Sequence, residues 1–147
     1  APCKAAFSWL RIFYPYGPAE PAGKFISSAI TTLAQNMTLK LQRPGDVVDY
    51  VYIDDVASAV AAVAGAESGG IWNVGSGRPL EIREVARAVR AALGDKGSIE
   101  ESARPEPVKR FANIRRLEAL GWAPLIDLDA GSRKMLSISG AKRAPLS

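Results

Sequence analysis

Residues 49–94 read DYVYIDDVASAVAAVAGAESGGIWNVGSGRPLEIREVARAVRAALG, and this stretch decides the fold class. Asp49 to Ile53 is rich in β-formers. Asp54 or Asp55 then stands where a carboxylate can accept hydrogen bonds from the free N–H groups of a first helical turn. Val56, Val60 and Val63 make the inner stripe of that helix, and Gly69 and Gly70 close it. Ile71-Trp72-Asn73-Val74 is a short apolar strand ending in Gly75-Ser76-Gly77. Ile82, Val85, Ala86, Val89 and Leu93 recur at helical spacing until Gly94 stops them. Strands alternating with helices imply an α/β layer arrangement.

Upstream, Phe7 to Phe13 is apolar apart from Ser8 and Arg11, as expected of a parallel strand buried on both faces. Prolines and glycines from Pro15 to Gly23 make a long loop. Ile26, Ala29, Ile30 and Leu33 predict a helix from about Lys24 to Asn36, and Thr38 to Gln42 alternates with Leu39 and Leu41 inward. Arg43-Pro44-Gly45-Asp46 is a turn signal. Downstream, Lys96 to Arg110 reads as loop with a short edge strand at Ser98 to Glu100. Asn113 is placed to cap a short helix with Ile114, Leu117 and Leu120 on one face, ended by Gly121, and Asp127 or Asp129 opens a final helix. A single unit over residues 1–140 with a mobile tail at 141–147 is the expected organisation.

The chain has 147 residues and a formal charge of +4, with no run of like charges that would mark a nucleic-acid arm. Arg83, Arg87 and Arg90 lie along one side of a helix, but such a stripe is the ordinary solvated face, and no nucleic-acid motif accompanies it. The positive balance suits an anionic small ligand held by charge-assisted hydrogen bonds. One cysteine, Cys3, permits no internal disulfide, and the absence of histidine excludes imidazole catalysis and histidine-ligated metal, so no metal site is expected. No apolar stretch approaches the roughly 18 to 20 residues of a spanning helix, and no secretory signal opens the chain. A cytoplasmic location without membrane contact is the expectation. Gly75-Ser76-Gly77 is a lone G-x-G followed by Arg78-Pro79, which reads as a tight turn rather than a phosphate cradle.

Four elements in order resemble those of the NAD-dependent epimerase/dehydratase family, the extended short-chain dehydrogenases/reductases. Arg11-Ile12-Phe13-Tyr14-Pro15-Tyr16-Gly17-Pro18 is similar to R-x-F-N-x-Y-G-P. Asp49 through Ala57 is similar to D-[FY]-V-[YH]-V-D-D-V-A, Trp72 through Gly77 to Y-N-V-G-S-G, and Leu120 through Pro124 to L-G-W-x-P. The resemblance implies the C-terminal part of a Rossmann-like protein, its substrate-side portion, without the glycine-rich nucleotide-binding half. The implied parent activity is NAD- or NADP-dependent epimerisation or dehydration of a nucleotide-sugar, with this portion inactive alone and binding no cofactor tightly. The alternative is a non-catalytic fragment that serves as a binding or self-assembling module, since a sheet without its neighbour exposes an apolar face and an open edge that invite a homodimer.

By the same resemblance, Lys4 is either the lysine of the family's Tyr-Lys pair or an ordinary terminal lysine, because the family places a helix between that lysine and the strand that here begins at Phe7. Ile12, Phe13 and Tyr14 would lie along the cofactor, with Tyr14 offering a hydroxyl to the sugar where the family often has asparagine. Lys24, Leu41, Arg43 and Arg104 are the remaining candidate substrate contacts, Leu41 and Arg43 toward the base and Arg104 on the diphosphate. Val48 departs from the family, which commonly has arginine there as a second diphosphate clamp. Losing one such contact forfeits about 1.5–3 kcal/mol. Either the ligand is not a nucleoside-diphosphate sugar, or Arg43 substitutes, or binding has decayed. Asp55 is expected to be a structural helix cap.

Overall fold

The computed structural model describes residues 6–67, 69–102 and 106–141. Strand β1 (Ser8–Ile12) pairs in parallel with β6 (Gly70–Val74), Leu10 facing Trp72. Between them the chain forms β2 (Pro15–Tyr16), helix α1 (Phe25–Ala34), β3 (Thr38–Leu41), β4 (Val47–Val48), β5 (Val51–Tyr52) and helix α2 (Ile53–Ala64). After β6 come β7 (Leu80–Glu81), α3 (Ile82–Ala92), β8 (Ser98–Glu101), β9 (Lys109–Arg110), α4 (Arg115–Glu118) and α5 (Leu128–Ala141). β2·β5 and β3·β8 are separate parallel pairs, and a three-stranded ribbon runs in the order β7-β4-β9 with only β4·β7 antiparallel, so the α/β expectation holds. The tail expected to be mobile lies almost wholly outside the described residues.

Two apolar clusters hold these elements together. One joins Ile26 and Leu33 of α1, Leu41 of β3 and Val85 and Val89 of α3. The other joins Val51 of β5, Val63 of α2, Trp72 and Val74 of β6, Leu117 of α4 and Trp122 beyond it. Each fully buried aliphatic or aromatic side chain of these sets contributes about 1.5–3 kcal/mol relative to exposure. Helix α3 starts with a reciprocal capping box, the Glu81 N–H donating to Glu84 Oε2 at 2.7 Å and the Glu81 side chain accepting from the Glu84 N–H. Asp127 opens α5, its Oδ1 accepting from Ala130 N at 2.9 Å.

Several local expectations need correction. Residues 49–53 do not form one strand: Asp49 and Tyr50 separate β4 from β5, and Ile53 already belongs to α2. Neither Asp54 nor Asp55 caps that helix, because Tyr52 occupies the cap position and no side chain bonds there. Asp54 pairs with Lys134 of α5 at 3.3 Å. Asp55 is only 3% exposed, and its two oxygens accept from Leu125 N and Ile126 N, each at 3.0 Å. The buried stripe of α2 runs through Val56, Ala59 and Val63, while Val60 is 46% exposed, one position being enough to turn a side chain off the inner face. The stretch read as loop also contains β9, whose two residues carry too short a pattern to register as a strand. Finally, β1 is not buried on both faces: Trp9 and Ile71 stand side by side on its outer face, 59% and 51% exposed, because no described element covers that side.

Candidate functional site

The turn after β6 is organised by one carboxylate. Asp49 is fully buried, and its oxygens accept from Ser76 N at 2.7 Å, Ser76 Oγ at 2.5 Å, Gly77 N at 3.3 Å and Ala112 N at 3.1 Å. A Cβ on Gly75 would stand 2.5 Å from both Asp49 Oδ2 and Ala112 Cβ, so only glycine lets the chains approach this closely. Gly77 has φ +66, in the left-handed region, and a Cβ there would strike Ile114. The amides that would have to cradle a dinucleotide phosphate are thus spent on Asp49, and the Gly75–Gly77 turn does not fit a cofactor phosphate.

A different region gathers cations. Beyond the carboxyl end of β1 lies a hollow of ≈ 710 Å³, the position where parallel α/β sheets bind ligands. Arg11, Ile12, Phe13 and Tyr14 form one side and Lys24, at the N-cap of α1, another. Lys109, Arg110 and Phe111 form the facing wall. Among the described residues, no acid lines it. An adjoining hollow of ≈ 470 Å³ shares Tyr14, Pro15 and Lys24 and includes Glu20, whose carboxylate is held by Ser27 N at 3.2 Å and Ser27 Oγ at 2.6 Å.

Tyr14 has φ +36, a strained value for an aromatic residue, and such strain concentrates at functional sites. Its ring meets Tyr50 edge-on at 5.6 Å, Tyr50 meets Tyr16 at 6.0 Å, and Tyr16 meets Tyr52 at 5.3 Å. Burial pushes the Tyr16 and Tyr50 phenols well above their ordinary value. Both stay neutral donors at any physiological pH, and Tyr16 Oη donates to the Asp127 carbonyl at 3.2 Å. The hollow therefore offers cations, ring faces and a phenol. It can bind and orient an anionic, ring-bearing molecule.

Of the residues singled out in the sequence, the structure brings Ile12, Phe13, Tyr14 and Lys24 around this one hollow. It does not bring Leu41 or Arg43 there. Leu41 is 1% exposed inside the first apolar cluster. Arg43 donates from Nε to Asp46 Oδ2 at 2.6 Å and from Nη2 to the Glu106 carbonyl at 3.3 Å. Lys4 and Arg104 lie outside the described residues. Sequence reasoning missed Lys109, Arg110 and Phe111, since a polar stretch broken by prolines carries no periodicity. The adjacent basic pair was the available signal. It also missed Asp49, whose mark was a lone carboxylate inside a run of β-formers.

Fold and hollow together define a Rossmann-like parallel α/β unit with a basic site at its strand ends. Residues 3–75 match the model of the NAD dependent epimerase/dehydratase family. The chain is 34% identical over 129 residues to a putative GDP-L-fucose synthase 2 of Oryza sativa subsp. japonica, covering 79% of this chain and 37% of that protein. It is likewise 34% identical over 129 residues to the UDP-glucose 4-epimerase of Mycolicibacterium smegmatis, covering 81% of this chain and 41% of that one. Among solved structures it resembles RMD from Pseudomonas aeruginosa complexed with NADPH, at TM-score 0.78 and 26% identity, covering 90% of this chain and 48% of that one. The chain belongs to the NAD-dependent epimerase/dehydratase family, and it spans less than half the length of these relatives. No helix among the described residues is long and apolar enough to cross a membrane.

Proposed function

We propose that this chain forms the substrate-binding portion of an NAD(P)-dependent nucleotide-sugar epimerase or dehydratase, with no turnover on its own. The observation that carries the reading is the hollow at the end of β1, lined by Tyr14, Lys24 and Arg110 and, among the described residues, by no acid. A nucleoside-diphosphate sugar brings two negative charges and a hydroxyl-rich ring, the complement of cations beside a phenol. In the intact reaction the cofactor supplies the hydride chemistry. The residues of this chain bind and orient the sugar and keep its diphosphate neutralised. Calorimetric titration of the full chain with UDP-glucose should give saturable heat at concentrations where uridine, lacking the diphosphate, binds far more weakly. A flat isotherm would remove the support. Micromolar affinity for NAD would equally count against the reading, since the Ser76 and Gly77 amides of the glycine turn are already committed to Asp49.

A second reading, self-assembly as a homodimer, is favoured by the outer face of β1 and β6. There Phe7, Trp9 and Ile71 are 74%, 59% and 51% exposed, with the Phe7 and Trp9 rings 6.5 Å apart. Exposed apolar clusters of this kind mark association surfaces. Sedimentation decides it: a monomer at high concentration excludes the homodimer.

A further inference from the structure

We infer that Arg110, supported by Lys109, is the diphosphate clamp of the hollow, a role that rests on the nucleotide-sugar reading and gives it a specific residue. Val48 and Arg110 are register partners in the parallel pairing of β4 with β9, as are Val47 and Lys109. Neighbouring strands lie roughly 4.8 Å apart. Val48 is apolar and 4% exposed, so β4 sends no charge into the hollow. The adjacent strand does, through two consecutive cations on its wall.

Of the two arginines the sequence offered for the diphosphate, Arg104 lies outside the described residues and Arg43 is already engaged. Arg43 is bound to Asp46 and to the Glu106 carbonyl and does not line the hollow. Arg110 enters no ion pair among the described residues. The acid whose field reaches it is Asp46, and that carboxylate is occupied, Oδ2 by Arg43 and Oδ1 by Val108 N at 3.0 Å. A guanidinium held on a short strand, with its fork uncommitted, matches two phosphate oxygens better than an ammonium does. Lys24 and Arg11 on the other sides add a positive field that draws a polyanion between the walls. Tyr14 and Phe111 leave ring faces beside the place the sugar takes.

The strand itself is anchored independently of the arginine. Ala112 N is held by Asp49, and Val47 N donates to the Val108 carbonyl at 2.9 Å, so removing the exposed Arg110 side chain leaves the wall standing.

The test titrates the full chain with UDP, uridine, UDP-glucose and inorganic pyrophosphate, comparing wild type with Arg110→Met, Arg110→Lys, Lys24→Met and, as a control for loss of a surface arginine, Arg87→Met. Thermal melts accompany each variant. Arg110→Met should weaken UDP roughly ten- to hundredfold, leave uridine unchanged and reduce the salt dependence of UDP binding. Arg110→Lys should restore part of the loss, and Arg87→Met should cause none of it. Wild-type affinity for UDP in Arg110→Met, with the loss appearing in Lys24→Met instead, overturns the assignment. Equal loss of UDP and uridine overturns it too, because Arg110 would then serve the base or the fold. If pyrophosphate binds and is lost in Arg110→Met while UDP-glucose binds no tighter than pyrophosphate, the clamp stands and the nucleotide-sugar reading falls.

Discussion

Asp49 follows β4 and Arg110 ends the strand paired with it, so opposite charges stand on neighbouring strands, yet their surroundings differ completely. The carboxylate is out of contact with water and is saturated by donors from residues 76, 77 and 112. The guanidinium lines an open hollow beside three other cations and, among the described residues, no acid. A charge whose hydrogen bonds are all made inside the protein holds architecture, whereas charges left unmatched around a concavity await a ligand. Charge alone does not separate structure from function; satisfaction does.

The saturated side breaks hardest. Asp49→Ala leaves the Ser76, Gly77 and Ala112 amides without their acceptor and should cost about 3–5 kcal/mol in chemical denaturation. A loss below about 1 kcal/mol would mean that water replaces the carboxylate, and the contrast would fail. Asp55→Ala frees the Leu125 and Ile126 amides and should cost about 2–3 kcal/mol by the same measurement. On the open side, Tyr14→Gly relieves the φ +36 strain while removing the edge contact with Tyr50, so stability should move by less than about 1 kcal/mol. Its affinity for UDP-glucose should fall severalfold, a split that a merely structural tyrosine would not produce.

Asp46 lies between the two regimes. The hydrogen bond from Arg43, with a further one from Val108 N, holds its carboxyl below the usual range. A folded-state value lower than the unfolded one contributes stability that is fully present above the ordinary Asp value of about 3.9 and is lost as pH falls from there through the lower folded-state value. Asp46→Asn should therefore flatten the decline in stability as pH falls below about 5. The smallest effect is expected at Lys134, whose ammonium sits 3.3 Å from Asp54 and 5.2 Å from the Tyr52 ring on an exposed surface. Lys134→Ala should change stability by less than about 1 kcal/mol.

The sequence was most legible where one face of an element is buried. Ile26, Ala29, Ile30 and Leu33 of α1, and Val85, Ala86 and Val89 of α3, lie inside as their spacing requires, and β3 alternates as read. Reading failed where position depends on distant partners. Nothing local distinguishes Asp55, which reaches 70 residues ahead, from a helix cap in the same first turn. The motif at Arg11 to Pro18 located Ile12, Phe13 and Tyr14 on the hollow because the backbone itself passes its rim. The opposite wall was hidden: β9 pairs across 62 residues, and a two-residue strand has no periodicity to detect. Arg43 misled because a turn arginine looks free until the carboxylate three positions later is seen to hold it.

The reach of Asp49 also governs when the hollow comes into being. Its acceptors are filled from 27 and 63 residues further along the chain, so neither the glycine turn nor the wall at Arg110 can settle locally. Closing separations of that size is entropically costly, and molecules rich in them refold in milliseconds to seconds rather than microseconds. During synthesis the helices α1 and α2 are complete well before Ala112 leaves the ribosome, and the nascent protein holds a half-built cup until that amide arrives.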